Sequence, residues 1–156
     1  MLTTPASLPY FVEESVGYLI SRVRAQLAKT VDDVLEPDGI THTQGGILLM
    51  LWSGRFTTCS QLAREMYIDA AAMTRIVDRL EKRELVHRVP SVADRRVLTL
   101  HLTDAGQKLA ARLPALYSAA RERNFAGLSD EEMGFLKSLL RRVLANGEPS
   151  GWSSTR

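Results

Sequence analysis

The fold of this chain is decided by residues 58–102, which read TCSQLAREMYIDAAAMTRIVDRLEKRELVHRVPSVADRRVLTLHL. Up to about residue 83 the apolar side chains recur at three- and four-residue steps, which predicts helices that Thr58 and Asp69 are suited to cap. Later, Leu98, Leu100 and Leu102 alternate with other residues, which is typical of a strand. A short helix, a tight turn, a longer helix and a two-stranded hairpin together make a winged helix-turn-helix.

Two further helices are predicted before this stretch. Apolar residues at helical spacing cover 11–35, and Pro37 and Gly39 end that first helix. The segment 41–44 has the pattern of a capping box, so a second helix is expected from there to about Trp52.

The hairpin is predicted from strands over 85–89 and 97–102. A long helix follows, opened by the Thr103–Asp104 pair and stopped near Gly127. A capping box and a hydrophobic staple within 128–133 then open a last helix.

The domain organisation follows from these elements. At 156 residues the chain is expected to form one domain, mainly α with a small two-stranded β wing. The winged lobe spans 41–103, between helical segments at 10–36 and 104–146. The tail, 147–156, is rich in Gly, Pro and Ser and is expected to be mobile.

Composition excludes several functional classes. The formal net charge is only +2, so any affinity for nucleic acid must come from local clusters of cations. A single cysteine, Cys59, excludes a disulfide framework; a reactive thiol at a helix start is conceivable, but an inert one is favoured. The three histidines, His42, His87 and His101, show no metal-ligand spacing, so no metal or cofactor is expected. Without a signal peptide or an apolar span, the expected location is the cytoplasm.

The longer helix of the pair is the candidate recognition helix. Thr74 and Arg75 lie in its N-terminal half, and Arg suits the O6 and N7 acceptors of guanine in the major groove. Arg79, further along, suits phosphates better than bases. The alternative is an ordinary solvated helix face with pairs such as Asp78 with Lys82.

The hairpin tip carries two adjacent guanidinium groups, from Arg95 and Arg96. They could reach a neighbouring minor groove and its phosphates, and Asp94 would orient one of them through a charge-assisted hydrogen bond. An Asp-Arg-Arg triplet is weak by itself, because turns are generally polar. It gains weight from its register after a helix-turn-helix.

Three separated motifs resemble the signature of the MarR family of bacterial regulators. They are LEKRELVHR at 80–88, DRR at 94–96 and LTDAG at 102–106. The resemblance covers about 41–106 closely and implies an obligate homodimer that binds double-stranded DNA. It also implies DNA-binding roles for recognition-helix and wing residues. The predicted DNA-binding set is Gln61, Thr74, Arg75, Arg79, Asp94, Arg95 and Arg96.

One position departs from the family pattern. Where the family usually has Gly after the recognition helix, this chain has Glu84. A left-handed Glu84 would cost on the order of 1 kcal/mol. A different helix end, and with it a different wing angle, is therefore an open expectation.

The dimer is also expected from the apolar surface itself. The first and the last two helices carry more apolar positions than a small winged lobe can cover, so a second copy is the natural cover. Several of these side chains could instead pack within one chain. The candidate interface residues are Phe11, Val12, Leu116, Tyr117, Phe125, Leu136, Leu140 and Val143.

The family resemblance further implies a repressor that is released from a pseudo-palindromic operator by a small aromatic or phenolic effector. Such a ligand would lie between the dimer helices and the winged lobe. Candidate lining residues are Tyr18, Arg22, His42 and Trp52, which offer flat walls and donors for an aromatic acid. The structural alternatives are core for Trp52, interface for Tyr18 and a solvated charge for Arg22.

Two other functional classes compete with a regulator. An enzyme would need a phosphate loop, a nucleophile elbow, an HExxH motif or paired carboxylates, and the sequence has none of them. A winged helix could also serve as a protein-interaction module without specific DNA binding. Cations on the presumed DNA face favour DNA, whereas an apolar patch there would favour a protein partner.

Overall fold

The computed structural model describes residues 12–147 of the chain. A short 3-10 turn at Val12–Glu14 precedes six helices and one hairpin. The elements are α1 (Val16–Leu35), α2 (His42–Trp52), α3 (Cys59–Glu65), α4 (Ala70–Lys82), β1 (Val86–Pro90), β2 (Leu98–Leu102), α5 (Asp104–Asn124) and α6 (Asp130–Gly147). The mainly helical fold with a two-stranded antiparallel wing is confirmed.

The helix starts lie where the capping residues predict them. Thr41 and Thr58 each form a complete capping box with the glutamine three residues later. Asp69 caps α4, and the Thr103 hydroxyl accepts a backbone N–H in the first turn of α5 at 3.0 Å. These signals are local, because a cap needs only residues within one turn of the helix start.

Two predicted helix boundaries are wrong. The first helix begins at Val16 and not at residue 11, because the Ser15 hydroxyl accepts the N–H of Tyr18 and caps α1 there. The fifth helix ends at Asn124, three residues before Gly127, which has a φ of 86° in the turn that follows. Residue Phe11 and the predicted mobile tail from 148 onward lie outside the described residues.

The core of the winged lobe is apolar and is shared by α1 to α5 and the hairpin. Its fully buried side chains are Leu35, Ile47, Leu48, Leu62, Met73, Val77, Leu80, Val86 and Leu113. Cys59 packs at its edge, partly buried. Strand β2 also joins the segment before α3, since the N–H of Leu100 donates to the Thr57 carbonyl at 2.7 Å. The wing is therefore fixed to the lobe at its base.

The chain divides after Asn124 into two compact units. The second unit contains α6, which Ser129 and Glu132 open through the predicted capping box, with reciprocal hydrogen bonds of 2.8 and 3.2 Å. This helix buries none of its residues within the single chain. Within residues 12–147, no helix has both the length and the apolar character required to cross a membrane.

Candidate DNA interface

The turn between α3 and α4 fixes where the candidate recognition helix, α4, begins. The N–H groups of Tyr67 and Ile68 donate to carbonyls in the last turn of α3, at 3.3 and 2.9 Å, which makes a Schellman motif. Tyr67 takes the left-handed position with a φ of 52°. Asp69 then accepts a backbone N–H of α4 at 2.9 Å. The tight turn predicted between the two helices is confirmed.

The recognition helix separates an apolar face from a polar one. Met73, Val77 and Leu80 are fully buried, whereas Thr74 and Arg75 are exposed. The Thr74 hydroxyl donates to the Ala70 carbonyl at 2.9 Å, which leaves its methyl group and an oxygen lone pair for an outside partner.

Two arginines of α4, Arg75 and Arg79, point their charge outward. Both are exposed, and neither guanidinium group makes a hydrogen bond or ion pair with any residue between 12 and 147. Their five guanidinium donors are therefore available to an external acceptor.

The side-chain oxygen of Gln61 is already hydrogen-bonded within the protein. Its Oε1 accepts the N–H groups of Thr57 and Thr58, at 2.8 and 3.1 Å, and so completes the cap of α3. Only its amide NH₂ remains to donate to DNA.

We call the junction of α4, β1 and α5 the wing root; it comprises Glu84, Leu85, Arg88, Thr103 and Gly106. Here α4 ends in a second Schellman motif, with Glu84 left-handed at a φ of 56°. The helix thus ends as it would with glycine, so the expectation of a different end is wrong. The first strand begins one residue later than predicted because the Leu85 N–H donates to the Leu80 carbonyl of this motif at 3.0 Å.

The wing root also explains the glycine of the LTDAG motif. A Cβ on Gly106 would lie 2.0 Å from the carbonyl oxygen of Leu85. That carbonyl accepts the N–H of Thr103 at 3.1 Å, and the Thr103 hydroxyl donates to the carbonyl of Glu84. The start of α5 is therefore packed directly against the backbone that leads into the wing.

Arg88 ties the wing to the recognition helix. Its guanidinium donates to Asp78 at 2.7 Å and to Glu81, both on α4, and its backbone N–H donates to Glu81 at 3.2 Å. Partial burial alone would lower the pKa of Arg88, but the hydrogen bond to Asp78 and the charges of Glu81 and Asp78 raise it above its ordinary value. The alternative that paired Asp78 with Lys82 is wrong, because the carboxylate of Asp78 accepts a hydrogen bond from Arg88. No pattern in the sequence indicated this role of Arg88.

The wing tip, residues 91–97, holds the predicted arginine–carboxylate contact. Asp94 accepts from the backbone N–H of Arg96 at 3.0 Å and from its guanidinium at 3.1 Å. The Arg96 side chain, followed by its backbone N–H, lowers the pKa of Asp94. Arg95 is exposed and has no partner within the described part of the chain. The prediction that Asp94 orients one of the two arginines is confirmed.

Another cation near α4 is hydrogen-bonded to the protein itself. Arg83 donates to the carbonyls of Asp38, at 2.9 Å, and Gly39, in the connection between α1 and α2. Arg83 and Arg88 therefore hold the lobe together, and Arg75, Arg79 and Arg95 remain for an external anion.

The four candidate effector residues do not converge within one chain. Arg22 stacks on the Tyr18 ring at 5.9 Å and donates to its hydroxyl at 3.3 Å. The ring of His42 lies 3.0 Å from the carboxylate of Asp32, about 21 Å further along α1 than Tyr18. Trp52 is 49% exposed, so the alternative that made it core is wrong.

The candidate interface residues fall into two groups. Leu116 and Tyr117 are partly buried against their own core, and the Tyr117 hydroxyl donates to the His42 carbonyl at 3.3 Å. Burial, aided by the charge of Asp32, raises the pKa of Tyr117 to about 12. The second group remains accessible in the single chain: Val12, Leu140 and Val143 are exposed, and Phe125 and Leu136 are half-buried.

Comparisons with known proteins agree with this geometry. The model of the MarR family matches residues 40–98. The HTH-type transcriptional repressor Rv2887 of Mycobacterium tuberculosis is 33% identical over 128 residues, 82% of this chain and 92% of the relative. The repressor NicR of Pseudomonas putida is 30% identical over 96% of this chain and 98% of its own length. Among solved structures, a mutant MarR from E. coli complexed with operator DNA has a TM-score of 0.77 and 26% identity, covering 87% of this chain and 99% of that one.

Proposed function

This chain belongs to the MarR family of DNA-binding transcriptional regulators, and on that premise we propose that it is a homodimeric repressor of a pseudo-palindromic operator, released by a small aromatic or phenolic ligand. The regulators of this family are not enzymes. The finer parts of the proposal concern the residues that read DNA, the interface between the two copies and the effector.

The DNA-binding assignment rests on one observation: some arginines around α4 are hydrogen-bonded within the protein and others are not. The guanidinium groups of Arg83 and Arg88 donate hydrogen bonds to other groups of the protein. Those of Arg75, Arg79 and Arg95 have no hydrogen-bond partner within the described residues. In the proposed complex, Arg75 reads a guanine in the major groove and Arg79 contacts phosphate. At the wing tip, Arg95 reaches the adjacent minor groove and its phosphates. The same cations disfavour a module that only binds proteins.

The homodimer covers apolar surface that the single chain leaves in water. Val16, Leu19, Ile20 and Val23 of α1 are each at least 42% exposed. In the second unit, Phe135, Leu139, Val143 and Leu144 of α6 are each at least 51% exposed. Faces of this kind on two long helices are typical of an oligomer interface. A two-fold dimer would place its recognition helices about 34 Å apart, one turn of B-DNA.

We place the carboxylate or phenolate of the effector on Arg22, with the Tyr18 ring as a flat wall beside it. These two are the candidates that already contact each other, and Arg22 keeps donors beyond the one given to Tyr18. His42 is a poorer candidate, because its ring and backbone are both held by Asp32.

The DNA assignment is tested by fluorescence anisotropy with labelled duplexes from the region upstream of the coding sequence, at several salt concentrations. We expect Arg75→Ala to lose about 1–3 kcal/mol of binding to the operator and far less to random DNA, because it removes a base contact. Arg121→Ala also removes an exposed charge, from α5, and serves as the matched control. Equal losses for both variants on both DNAs would overturn the assignment of Arg75.

The effector assignment is tested by thermal unfolding with a panel of aromatic acids and phenols. A compound at about 100 times its dissociation constant stabilises the fold by about 2.7 kcal/mol, which is readily detected. We expect Arg22→Ala to remove this shift for carboxylates and His42→Gln to preserve it. If His42→Gln loses the shift and Arg22→Ala keeps it, the effector binds at the start of α2 and not at Arg22.

A further inference from the structure

Two histidines that lie fourteen positions apart in sequence face each other across the wing. His87 on β1 is the direct cross-strand partner of His101 on β2, and their ring centroids are 5.7 Å apart with 28° between the planes. Both side chains are exposed, while their neighbours Val86 and Leu100 point into the core. The pair therefore lies on the outer face of the hairpin, where neither ring contributes to the core.

The hydrogen bonds around this pair determine which ring nitrogen of His101 is free. The hydroxyl of Thr99 donates its single proton to the Val89 carbonyl at 3.0 Å. Its oxygen also lies 2.9 Å from Nε2 of His101, and it can only accept there. In the neutral ring Nε2 therefore carries the proton, which leaves Nδ1 of His101 with the lone pair that a metal ion requires.

We infer that His87 and His101 form a two-imidazole site for a late first-row divalent metal ion, with Cu²⁺ bound most tightly and Zn²⁺ and Ni²⁺ more weakly. Imidazole is a preferred ligand of all three ions, and their order follows the Irving–Williams series. Directly opposed residues on antiparallel strands have Cβ atoms about 5 Å apart, so rotation of the His87 ring alone can bring it to an ion held at Nδ1 of His101. Because the His87 side chain is exposed, its rotation displaces only water, and His101 keeps its contact with Thr99.

The rest of the site follows from its surroundings. Thr99 holds the far nitrogen of His101 and is a positioning residue, as hydrogen-bonded partners of metal-bound histidines usually are. Among residues 12–147 no group of three or more His, Cys, Asp or Glu side chains is gathered closely enough to hold a metal. The two imidazoles are thus the protein ligands, and water completes the coordination of the ion.

This site is not visible in the spacing of the histidines along the chain, which gave no expectation of a metal. It requires the register that pairs His87 with His101. A bound ion would link β1 to β2 and so brace the hairpin.

The test is a Cu²⁺ titration of the full chain without a polyhistidine tag, followed by calorimetry and electron paramagnetic resonance. We expect one Cu²⁺ per chain with superhyperfine coupling to two imidazole nitrogens. His87→Ala and His101→Ala should each abolish the two-nitrogen signal. Thr99→Val should weaken binding about tenfold, because it releases the far side of the ring.

The chain offers its own controls, since it contains only one other histidine and one cysteine. His42→Gln and Cys59→Ser should bind Cu²⁺ as the wild type does. A two-nitrogen signal that survives His87→Ala, or that disappears in His42→Gln, would overturn the site. No DNA enters this measurement, so its failure would leave the regulatory function untouched.

Discussion

The wing contains two arginine–carboxylate contacts of similar chemistry and different consequence. At the root, the Arg88 side chain is 18% exposed and lies between Asp78 and Glu81, which belong to another element. At the tip, Arg96 is 90% exposed and is held by Asp94, two residues away. The first contact joins two parts of the fold, whereas the second only shapes a loop.

The difference separates the part of the wing that supports the fold from the part that is available to bind DNA. Removing Arg88 from the root leaves the partly buried charges of Asp78 and Glu81 unpaired, which costs stability. Removing Arg96 from the tip leaves Asp94 in water, where ion pairs contribute little. The root should therefore control stability and the tip should control binding.

The largest effect is expected for Gly106→Ala. The new methyl group would lie 2.0 Å from the Leu85 carbonyl oxygen, which cannot retreat without losing the N–H of Thr103. We expect a loss of about 3 kcal/mol in the free energy of unfolding, measured by urea denaturation.

The matched control for that change is Gly134→Ala in α6, where an added Cβ meets nothing within 4 Å. It should leave stability unchanged or raise it by up to about 1 kcal/mol, as helix propensity predicts. Equal urea midpoints for the two variants would show that the root is not tightly packed.

The next effect separates the two arginine contacts directly. Arg88→Ala should lower the free energy of unfolding by about 2 kcal/mol, because it leaves Asp78 and Glu81 without their shared donor. The side chains of Asp78 and Glu81 are 47% and 39% exposed, so water compensates part of the loss. Arg96→Ala, compared in the same urea titration, should change the midpoint little. The reverse order would contradict the assignment of root and tip.

At the tip, the expected effect is on DNA and not on the fold. Arg95→Ala should weaken operator binding about tenfold and reduce the slope of log K against log salt by about 1, because it removes one phosphate contact. Its thermal midpoint should match the wild type. A lowered midpoint with unchanged DNA affinity would place Arg95 among the structural residues.

The contrast between tip and root also marks what could be predicted from the sequence. The sequence was sufficient to predict the helix caps at Thr41, Thr58 and Asp69 and the contact of Asp94, because each of them joins residues within a few positions. The Arg88 contacts, the packing of Gly106 on Leu85 and the opposition of His87 to His101 were not, because each depends on how distant segments meet.

The candidate effector residues show the same limit. Tyr18 and Arg22 are one helical turn apart, and their contact follows from helix geometry. Their distance from His42 depends on which part of α1 meets α2, and the contact between Asp32 and His42 sets it. No periodicity in the sequence carries that information.

A smaller, stabilising effect is expected at the root from Glu84→Gly. Glu84 is left-handed, and glycine adopts that conformation without steric cost, so the free energy of unfolding should rise by about 0.5–1 kcal/mol. Glu84→Ala removes the same charge but keeps a Cβ, and it should give no gain. A gain in Glu84→Ala as well, measured by the same urea titration, would assign the effect to charge and not to the backbone.

The smallest effect is the titration of Asp94, which reports the tip contact without disturbing the fold. The guanidinium and backbone N–H of Arg96 stabilise the charged carboxylate, so the pKa of Asp94 lies below its ordinary value of 3.8. A group with a lowered pKa contributes stability above its unfolded pKa and loses it as the pH falls through the folded pKa, so this contact is complete at neutral pH. Following the Asp94 carboxyl carbon by NMR should give a midpoint below 3.8, and Arg96→Ala should raise it toward that value. The same titration in Arg95→Ala should leave the midpoint low, because Arg95 does not hold Asp94. A midpoint that moves with Arg95 and not with Arg96 would exchange the two residues, making Arg96 the one that is free to contact DNA.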